Sequence, residues 1–325
     1  CKEFGPVDSH KVEEIDDPIA GPGEVVVDIK ATGISFPDVL IVQGLYQFKP
    51  PFPFSPGSEI SGVISSIGEG VTLHQEGDRV MGSIGSGGLR EKGVYSEHHL
   101  MPLPESMDFD TAAGFPLNYG TTYHAFKQRG ELKEGQSVLV LGAGGGLGIT
   151  AIHIAKAMGA KVIAAASSQE KIDLCLREGA DEGIIYERDM DRDLQKKFSD
   201  QIKEATGGGV DMIYDLVGGS YAEPALRAIA RHGKYLVIGF TAGIPKMPLN
   251  LTLLKECQIV GVFWGQFAAI DQAENQENFR ELFELHAQGK IKPFVSETYS
   301  LEEAATAIKT LEDRKVLGKV VVRMD

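Results

Sequence analysis

Short apolar runs broken by glycine and proline fill the first third of the chain. EVVVDIKATGI (24–34) and ISGVISSIGEGV (60–71) are apolar over strand length, and GDRVMGS (77–83) and GVYSEHHLMPLP (93–104) continue the pattern. Short strands at close spacing with glycine turns predict a small β-barrel or sandwich. FKPPFPFSPGSE (48–59) is a proline-rich loop, because proline is excluded from helix interiors. Near residue 111 the period changes, and TAAGFPLNYGTTYHAFKQR (111–129) carries small and aromatic residues at helical spacing. SVLVLGAGG (137–145) then reads as a buried strand entering a glycine-rich turn, LGITAIHIAKAMGA (147–160) as a helix ending at Gly159, and KVIAAA (161–166) as a second strand. SQEKIDLCLREG (168–179) is the next helix, and EGIIYE, VDMIYDLVG, GKYLVIGF and QIVGVFWG follow as further apolar runs. Alternation of this kind predicts an α/β, doubly wound parallel sheet of about six strands. QENFRELFELHAQGK (276–290) and SLEEAATAIKTLEDRK (300–315) are amphipathic helices, the second opened by a capping box of Ser300 and Glu303, and GKVVVRM (318–324) is a last strand.

Composition narrows the class. The 325 residues are 42% hydrophobic and 24% charged, as expected of about two globular domains. A net charge of −14 argues against a general nucleic-acid partner, although it leaves room for a local basic pocket holding one phosphate. Cys1, Cys175 and Cys257 are odd in number and far apart, so neither a disulfide framework nor a cysteine zinc site is indicated, and a reducing, cytoplasmic setting is expected. No apolar run reaches the roughly 18 residues of a spanning helix, so no membrane partner is expected. The chain opens at Cys1, in a stretch expected to be preceded by a few more residues of a first strand.

The turn LGAGGGLGIT (141–150) carries the first chemistry. A diphosphate needs backbone N–H donors at the positive end of a helix, approached without obstructing side chains. Gly144, Gly145, Gly146 and Leu147 are the candidate contacts, with Gly148 the small residue that lets the helix pack on its strand. The spacing Gly142-x-x-Gly145-x-x-Gly148 departs from the strict G-x-G-x-x-G, but a buried strand before it and a helix after it favour dinucleotide binding.

The end of the second strand selects the dinucleotide. NAD sites place Asp or Glu there to bond the ribose 2′-OH. Here the strand ends in Ala166, Ser167 and Ser168, with Lys171 following. Two hydroxyls and an ammonium accept a 2′-phosphate that a carboxylate would repel, which favours NADPH. Against that stands a plainer reading, in which Ser167 and Glu170 form a capping box and Lys171 is a solvated first-turn residue. Tyr186, ending the next strand, flanks the adenosine or is an ordinary strand-end aromatic.

The stretches ATGISFPDVLIVQGLY (31–46), PFSPGSEISGVISSIGEGV (53–71), EGDRVMG (76–82), LVLGAGGGLGITAIHIAKAMGAKVIAA (139–165) and GKVVV (318–322) together resemble the medium-chain dehydrogenase/reductase superfamily over nearly the whole chain. The resemblance implies a GroES-like catalytic domain (1–113 and 265–325) around a Rossmann domain (114–264), with a cleft between them. Zinc alcohol dehydrogenases of that superfamily carry Cys where this chain has Ser35 and His where it has Ser58, and this chain has no cysteine across 81–99. Serine is a poor zinc ligand, so no metal is expected; His98 and His99 read as strand or loop residues. The zinc-free branch that the chain resembles is the quinone oxidoreductase, or zeta-crystallin-like, family. That branch implies hydride transfer from NADPH to a quinone or other α,β-unsaturated carbonyl.

The same resemblance supplies site residues. Family members often read Asn-Phe-x-Asp where this chain has SFPD (35–38), so Ser35, a candidate cofactor contact, departs from the pattern and lacks the carboxamide that would face the nicotinamide or substrate, while Asp38 keeps its place. Tyr46 matches the tyrosine that enoyl thioester reductases of the superfamily offer as a proton donor, and is the first catalytic candidate; Asp38, otherwise an N-cap, is the second. Asn118 and Thr121 match a cofactor-contacting helix start. Gly239 and Phe240, and Phe263 and Trp264, end late Rossmann strands that face a nicotinamide. Lys319, where the tail returns, touches a phosphate or is solvated. Two alternatives remain open: an enoyl-CoA or acryloyl-CoA reductase, and a non-catalytic NADPH-binding, crystallin-like protein. The apolar edge near QIVGVFWG predicts a homodimer, or a tetramer.

Overall fold

The computed structural model describes residues 1–188 and 190–324. In chain order the elements are β1 (Glu24–Ile34), α1 (Phe36–Val42), β2 (Glu59–Ile67), β3 (Arg79–Ser83), β4 (Lys92–Ser96), β5 (Leu100–Pro102), α2 (Phe109–Ala113) and α3 (Pro116–His124). There follow β6 (Ser137–Leu141), α4 (Gly146–Ala157), β7 (Lys161–Ala166), α5 (Gln169–Arg177), β8 (Glu182–Ile185), α6 (Arg192–Thr206), β9 (Val210–Asp215) and α7 (Ala222–Arg227). Then come β10 (Ile229–Val237), α8 (Asn250–Lys255), β11 (Gln258–Gly261), α9 (Trp264–Ile270), α10 (Gln272–Ala287), β12 (Val295–Ser300), α11 (Ala304–Glu312) and β13 (Lys319–Arg323).

The chain divides into two compact units, Cys1–Leu117 with Pro293–Asp325, and Asn118–Lys292. The second boundary falls at 293 and not at the expected 265. The reason is α10, which is tied to the nucleotide-type unit. Lys127 Nζ donates to Glu281 at 2.6 Å and to Asn278 at 3.1 Å, and Trp264 Nε1 donates to Asn275 at 2.9 Å.

The first unit is built on a seven-stranded sheet in the order β12-β13-β1-β2-β3-β5, with β4 also on β1. The eleven residues of β1 make this possible. Its first half (Glu24–Asp28) pairs with β4, and its second half (Ala31–Ile34) pairs with the returning tail strand β13. Val25, Val27, Ile29, Ile60, Ile64, Val80, Val320 and Val322 form the core, covered by Ala304, Ala307 and Ile308 of α11. Gly33 permits close packing here, since a Cβ on it would lie 2.1 Å from the Ala113 carbonyl oxygen.

The second unit holds a six-stranded sheet, β11-β10-β9-β6-β7-β8, with every pair parallel. The chain winds outward from β6 through β7 and β8, then returns to the other side of β6 with β9. That reversal is the switch point at which doubly wound sheets bind ligands, outside the carboxyl ends of the strands. The stretch with helical spacing over 111–129 is helical in three pieces. Asp108 caps α2 by accepting the Thr111 amide at 2.7 Å, Gly114 ends it, and Pro116 restarts the helix as α3. A proline has no amide to continue the preceding ladder. A π-helical turn, Ala125–Gly130, completes the segment.

Candidate functional site

In the second unit the glycine-rich turn lies where the topology requires. Leu141, the last residue of β6, is in register with Asp215, the last of β9. Gly142 turns the chain at φ 79°, a conformation that favours glycine. Gly145 is the N-cap of α4. The first amides of a helix lack intrahelical partners, so the backbone around Gly144, Gly145, Gly146 and Leu147 presents donors at the positive end of a twelve-residue helix. A Cβ on Gly148 would sit 2.4 Å from the Ala143 carbonyl oxygen, so glycine is needed for α4 to reach β6.

Lys171 is brought to this turn. A Cβ on Gly144 would fall 2.8 Å from Lys171 Cβ and 2.9 Å from its Cγ, so the lysine stem runs along the glycine loop. The cap of α5 is Ser168, whose hydroxyl accepts the Lys171 amide at 3.4 Å. This corrects the expectation that Ser167 caps the helix. Ser167 ends up half-buried just past β7, with no capping task. Tyr186 packs inward, its ring 4.7 Å from that of Tyr221 and 6.0 Å from that of Phe198.

The other nucleotide-side candidates differ in accessibility. Gly239 donates its amide to the Asp215 carbonyl at 3.1 Å, and Phe240 beside it is 44% exposed. Phe263 is 64% exposed, whereas Trp264 is buried against Phe279 and so close to Gly120 that a Cβ there would lie 2.6 Å from the indole. Trp264 therefore holds α9, α10 and α3 together. Asn118 is buried and Thr121 half-buried on α3.

Asp215 is a site residue that the sequence reading passed over as part of an apolar run. It is 2% exposed, and its carboxylate accepts the Val217 amide at 2.8 Å, the Gly218 amide at 2.9 Å and the Tyr235 hydroxyl at 2.5 Å. Burial pushes this carboxyl up, and those three donors oppose the shift. Its task is to shape the turn after β9, whose Val217 and Leu216 side chains back Gly142. The signal available was a single acid inside MIYDLV, because a buried charge must find partners.

The first unit contains the second constellation. Lys319 is 5% exposed, and its ammonium donates to Ser35 Oγ at 2.7 Å and to Glu59 Oε1 at 2.5 Å. The expectation of a phosphate-binding or solvated lysine is thus corrected: β13 is pinned between β1 and β12, and this position turns its side chain into the unit, past Gly33 and Gly114. Glu59 is fully buried, and its other oxygen accepts the Leu117 amide at 2.8 Å. It was missed as well, standing as a charge at the start of the apolar stretch EISGVI.

Asp38 is not the N-cap of α1. Ser35 is, and Asp38 sits at the third helical position with no exposed surface. Its carboxylate accepts the Ser35 amide at 2.9 Å, the Gly57 amide at 3.0 Å and the Ser58 hydroxyl at 3.4 Å. Burial pushes this carboxyl up to about 6, while the Ser35 amide, Lys319 and the Gly57 amide hold it down. Tyr46, half-buried in the bend after α1, has its phenol raised by burial and then by the Asp38 charge. It therefore stays protonated, as a donor must.

The structure thus gathers Ser35, Asp38, Tyr46 and Lys319 in one unit, and the glycine turn, Ser168 and Lys171 in the other. His98 and His99 lie exposed in a short turn. Among the described residues, no group of three or more His, Cys, Asp or Glu side chains gathers to hold a metal ion. The residues at the two positions discussed for zinc do not suit it either: Ser35 accepts from a buried ammonium, and Ser58 is turned onto Asp38. No helix among the described residues is long and apolar enough to cross a membrane.

Comparison with known proteins agrees with both halves of this description. Residues 21–105 match the alcohol dehydrogenase GroES-like domain, and residues 146–287 match the domain described as zinc-binding dehydrogenase. The chain is 37% identical over 307 residues to the quinone oxidoreductase-like protein 2 homolog of Nematostella vectensis, covering 93% of this chain and 82% of that protein. It is 32% identical over 332 residues to the quinone oxidoreductase of Rattus norvegicus, covering 98% and 95%. The crystal structure of Escherichia coli quinone oxidoreductase complexed with NADPH superposes with a TM-score of 0.90 at 29% identity, covering 99% of this chain and 98% of that one. With its fold, its glycine turn and these relatives, the chain belongs to the quinone oxidoreductase family of the medium-chain dehydrogenases/reductases and is an oxidoreductase.

Proposed function

We propose that this protein reduces a quinone or another α,β-unsaturated carbonyl compound by hydride transfer from NADPH, without zinc. When bound, NADPH supplies the hydride and is left as NADP+. The observation that carries the cofactor assignment is the placement of Lys171 along Gly144, beside a β7 end that offers Ala166, Ser167 and Ser168 in place of a carboxylate. The glycine turn would hold the diphosphate on its backbone donors, and Ser168 and Lys171 would receive the 2′-phosphate. The E. coli quinone oxidoreductase complexed with NADPH, structurally alike along the whole chain, supports the same choice. Asn118, Thr121, Gly239 and Phe263 remain the candidate contacts on the nicotinamide side.

On the acceptor side, Tyr46 is the proposed proton donor. Asp38, with no exposed surface, acts by fixing the loop of Gly57 and Ser58 and the start of α1. The zinc-free reading is supported by the Lys319–Ser35 bond, since a cation already occupies the hydroxyl at that position. A homodimer is supported by β11, which among the described residues ends the strand order and carries exposed Ile259, with Phe263 after it and Leu253 and Leu254 of α8 before it exposed as well.

The cofactor assignment is tested by Lys171→Ala, with dinucleotide affinity read by fluorescence titration. The variant should bind NADPH about tenfold or more weakly, the loss of a charge-assisted phosphate contact, while NADH affinity barely moves. Equal losses for both dinucleotides would show that Lys171 reads no 2′-phosphate.

A further inference from the structure

We propose that the Ser35 hydroxyl, polarised by the buried Lys319 ammonium, is the hydrogen-bond donor to the carbonyl oxygen of the acceptor. The inference rests on the reductase reading above and names a part of it that the family resemblance leaves open.

The Ser35 oxygen accepts from Lys319 Nζ at 2.7 Å, so its own O–H must point elsewhere. The partner available inside the unit is Glu59 Oε1, at 3.2 Å. That is long for an O–H···O bond, and the same oxygen already accepts the ammonium. The second Glu59 oxygen is taken by the Leu117 amide. Ser35 therefore carries a weakly committed proton on an oxygen that a cation polarises, and a hydroxyl in that position is a stronger donor than an isolated one.

Placement supports the same reading. Asp38 and Glu59 have no exposed surface, whereas Ser35 is 8% exposed; the serine is where this buried chain of polar groups comes nearest to solvent. Its backbone is fixed, because its amide donates to Asp38 Oδ2 at 2.9 Å. Tyr46 lies close enough to the same carboxylate for the Asp38 charge to act on its phenol. Lys319 and Glu59 neutralise one another, so the group that meets the acceptor is a neutral donor whose oxygen is held directly by the ammonium.

A hydride brings two electrons and one hydrogen nucleus to the acceptor carbon. The conjugated π pair shifts onto the carbonyl oxygen, which becomes an oxyanion held by the Ser35 O–H. A proton from Tyr46, replaced from water, completes the reduced product. Ser35 keeps its proton throughout. Fixed donors aimed at an oxygen that gains charge during the reaction are among the largest catalytic contributions. Lys319 is in this scheme a positioning residue, acting through Ser35.

The test uses the full-length protein with NADPH and 1,4-benzoquinone. Ser35→Ala should lower kcat/KM for the quinone by roughly 10²-fold, with the KM for NADPH unchanged, and Ser35→Thr should restore most of it. Because Lys319→Met alone would strand the buried Glu59 charge, the charges are removed together as Lys319→Met/Glu59→Gln, with folding checked by thermal melting. That pair should lose about tenfold in the Ser35 background and nothing further in the Ser35→Ala background, as expected for residues acting through one atom. A second readout needs no turnover: 4-nitrophenol, a mimic of the oxyanion, should titrate at lower pH when bound to the wild type, and lose that shift in Ser35→Ala. Unchanged quinone kinetics in Ser35→Ala, or independent losses for the pair and the serine, would overturn the assignment. A wild type that turns over no quinone would instead overturn the reductase reading, and this assignment with it.

Discussion

The Asp38 carboxyl has no exposed surface and holds its proton up to about pH 6 in the folded chain. An unfolded aspartate releases its proton near pH ~4. Between those values the folded state binds more protons than the unfolded one, so this group's contribution to stability falls as pH rises through the window and stays lost above it. Asp38→Asn should abolish that component. Urea unfolding at pH 4.5 and pH 7 should show the wild type losing about 2 kcal/mol more than the variant over that interval. Parallel pH profiles would show that the carboxyl is not desolvated as described. At this scale the sequence was only partly legible. Asp38, Ser168 and Lys171 were singled out from their motifs, but their tasks depend on who accepts from whom. The swap of the helix cap from Ser167 to Ser168 turns on where β7 ends. The inward turn of Lys319 depends on its bond to Ser35, 284 residues away along the chain just past the end of β1. Pairings of that range leave no local signal.

At the scale of elements, the glycine turn and the strands around it were written plainly in the periodicity. β1 and β7 match the expected limits, and the helix after the turn ends as expected before Gly159, which adopts φ 80°. The segment 111–129 is helical as its spacing suggests, but apolar spacing alone does not report the break that Gly114 and Pro116 introduce. The return of the tail was placed too early for a similar reason: α9 and α10 are amphipathic whichever unit they cover, and the Lys127–Glu281 and Trp264–Asn275 contacts decide it. The packing of α4 on β6 gives a direct test. Gly148→Ala would put a methyl 2.4 Å from the Ala143 carbonyl, forcing helix and strand apart. The expected cost is about 1–3 kcal/mol of stability, read by thermal melting, together with weaker NADPH binding because the turn moves. A variant as stable and as tight-binding as the wild type would show that the turn tolerates the displacement.

For the whole molecule, a net charge of −14 sets the terms on which an anionic cofactor binds. The attraction has to be local, because the overall field opposes it, and on the proposed reading it comes from helix amides and a lysine at one turn. The two units divide the work in the same way in sequence and in structure. One holds the glycine turn, the proposed dinucleotide site, at the switch point of a parallel sheet, and the other a buried lysine–glutamate pair behind a serine, with a tyrosine in the same unit. The fold class and the family were legible from linked motifs spread over the chain; the acceptor-side chemistry was not, since it is assembled from residues 35, 59 and 319 by strand pairing. The most direct test of the account is steady-state reduction of 1,4-benzoquinone by protein dialysed against a strong chelator. The account predicts full turnover with NADPH after chelation and poor turnover with NADH at the same concentration. Activity lost on chelation and restored by zinc, or equal use of NADH, would contradict it.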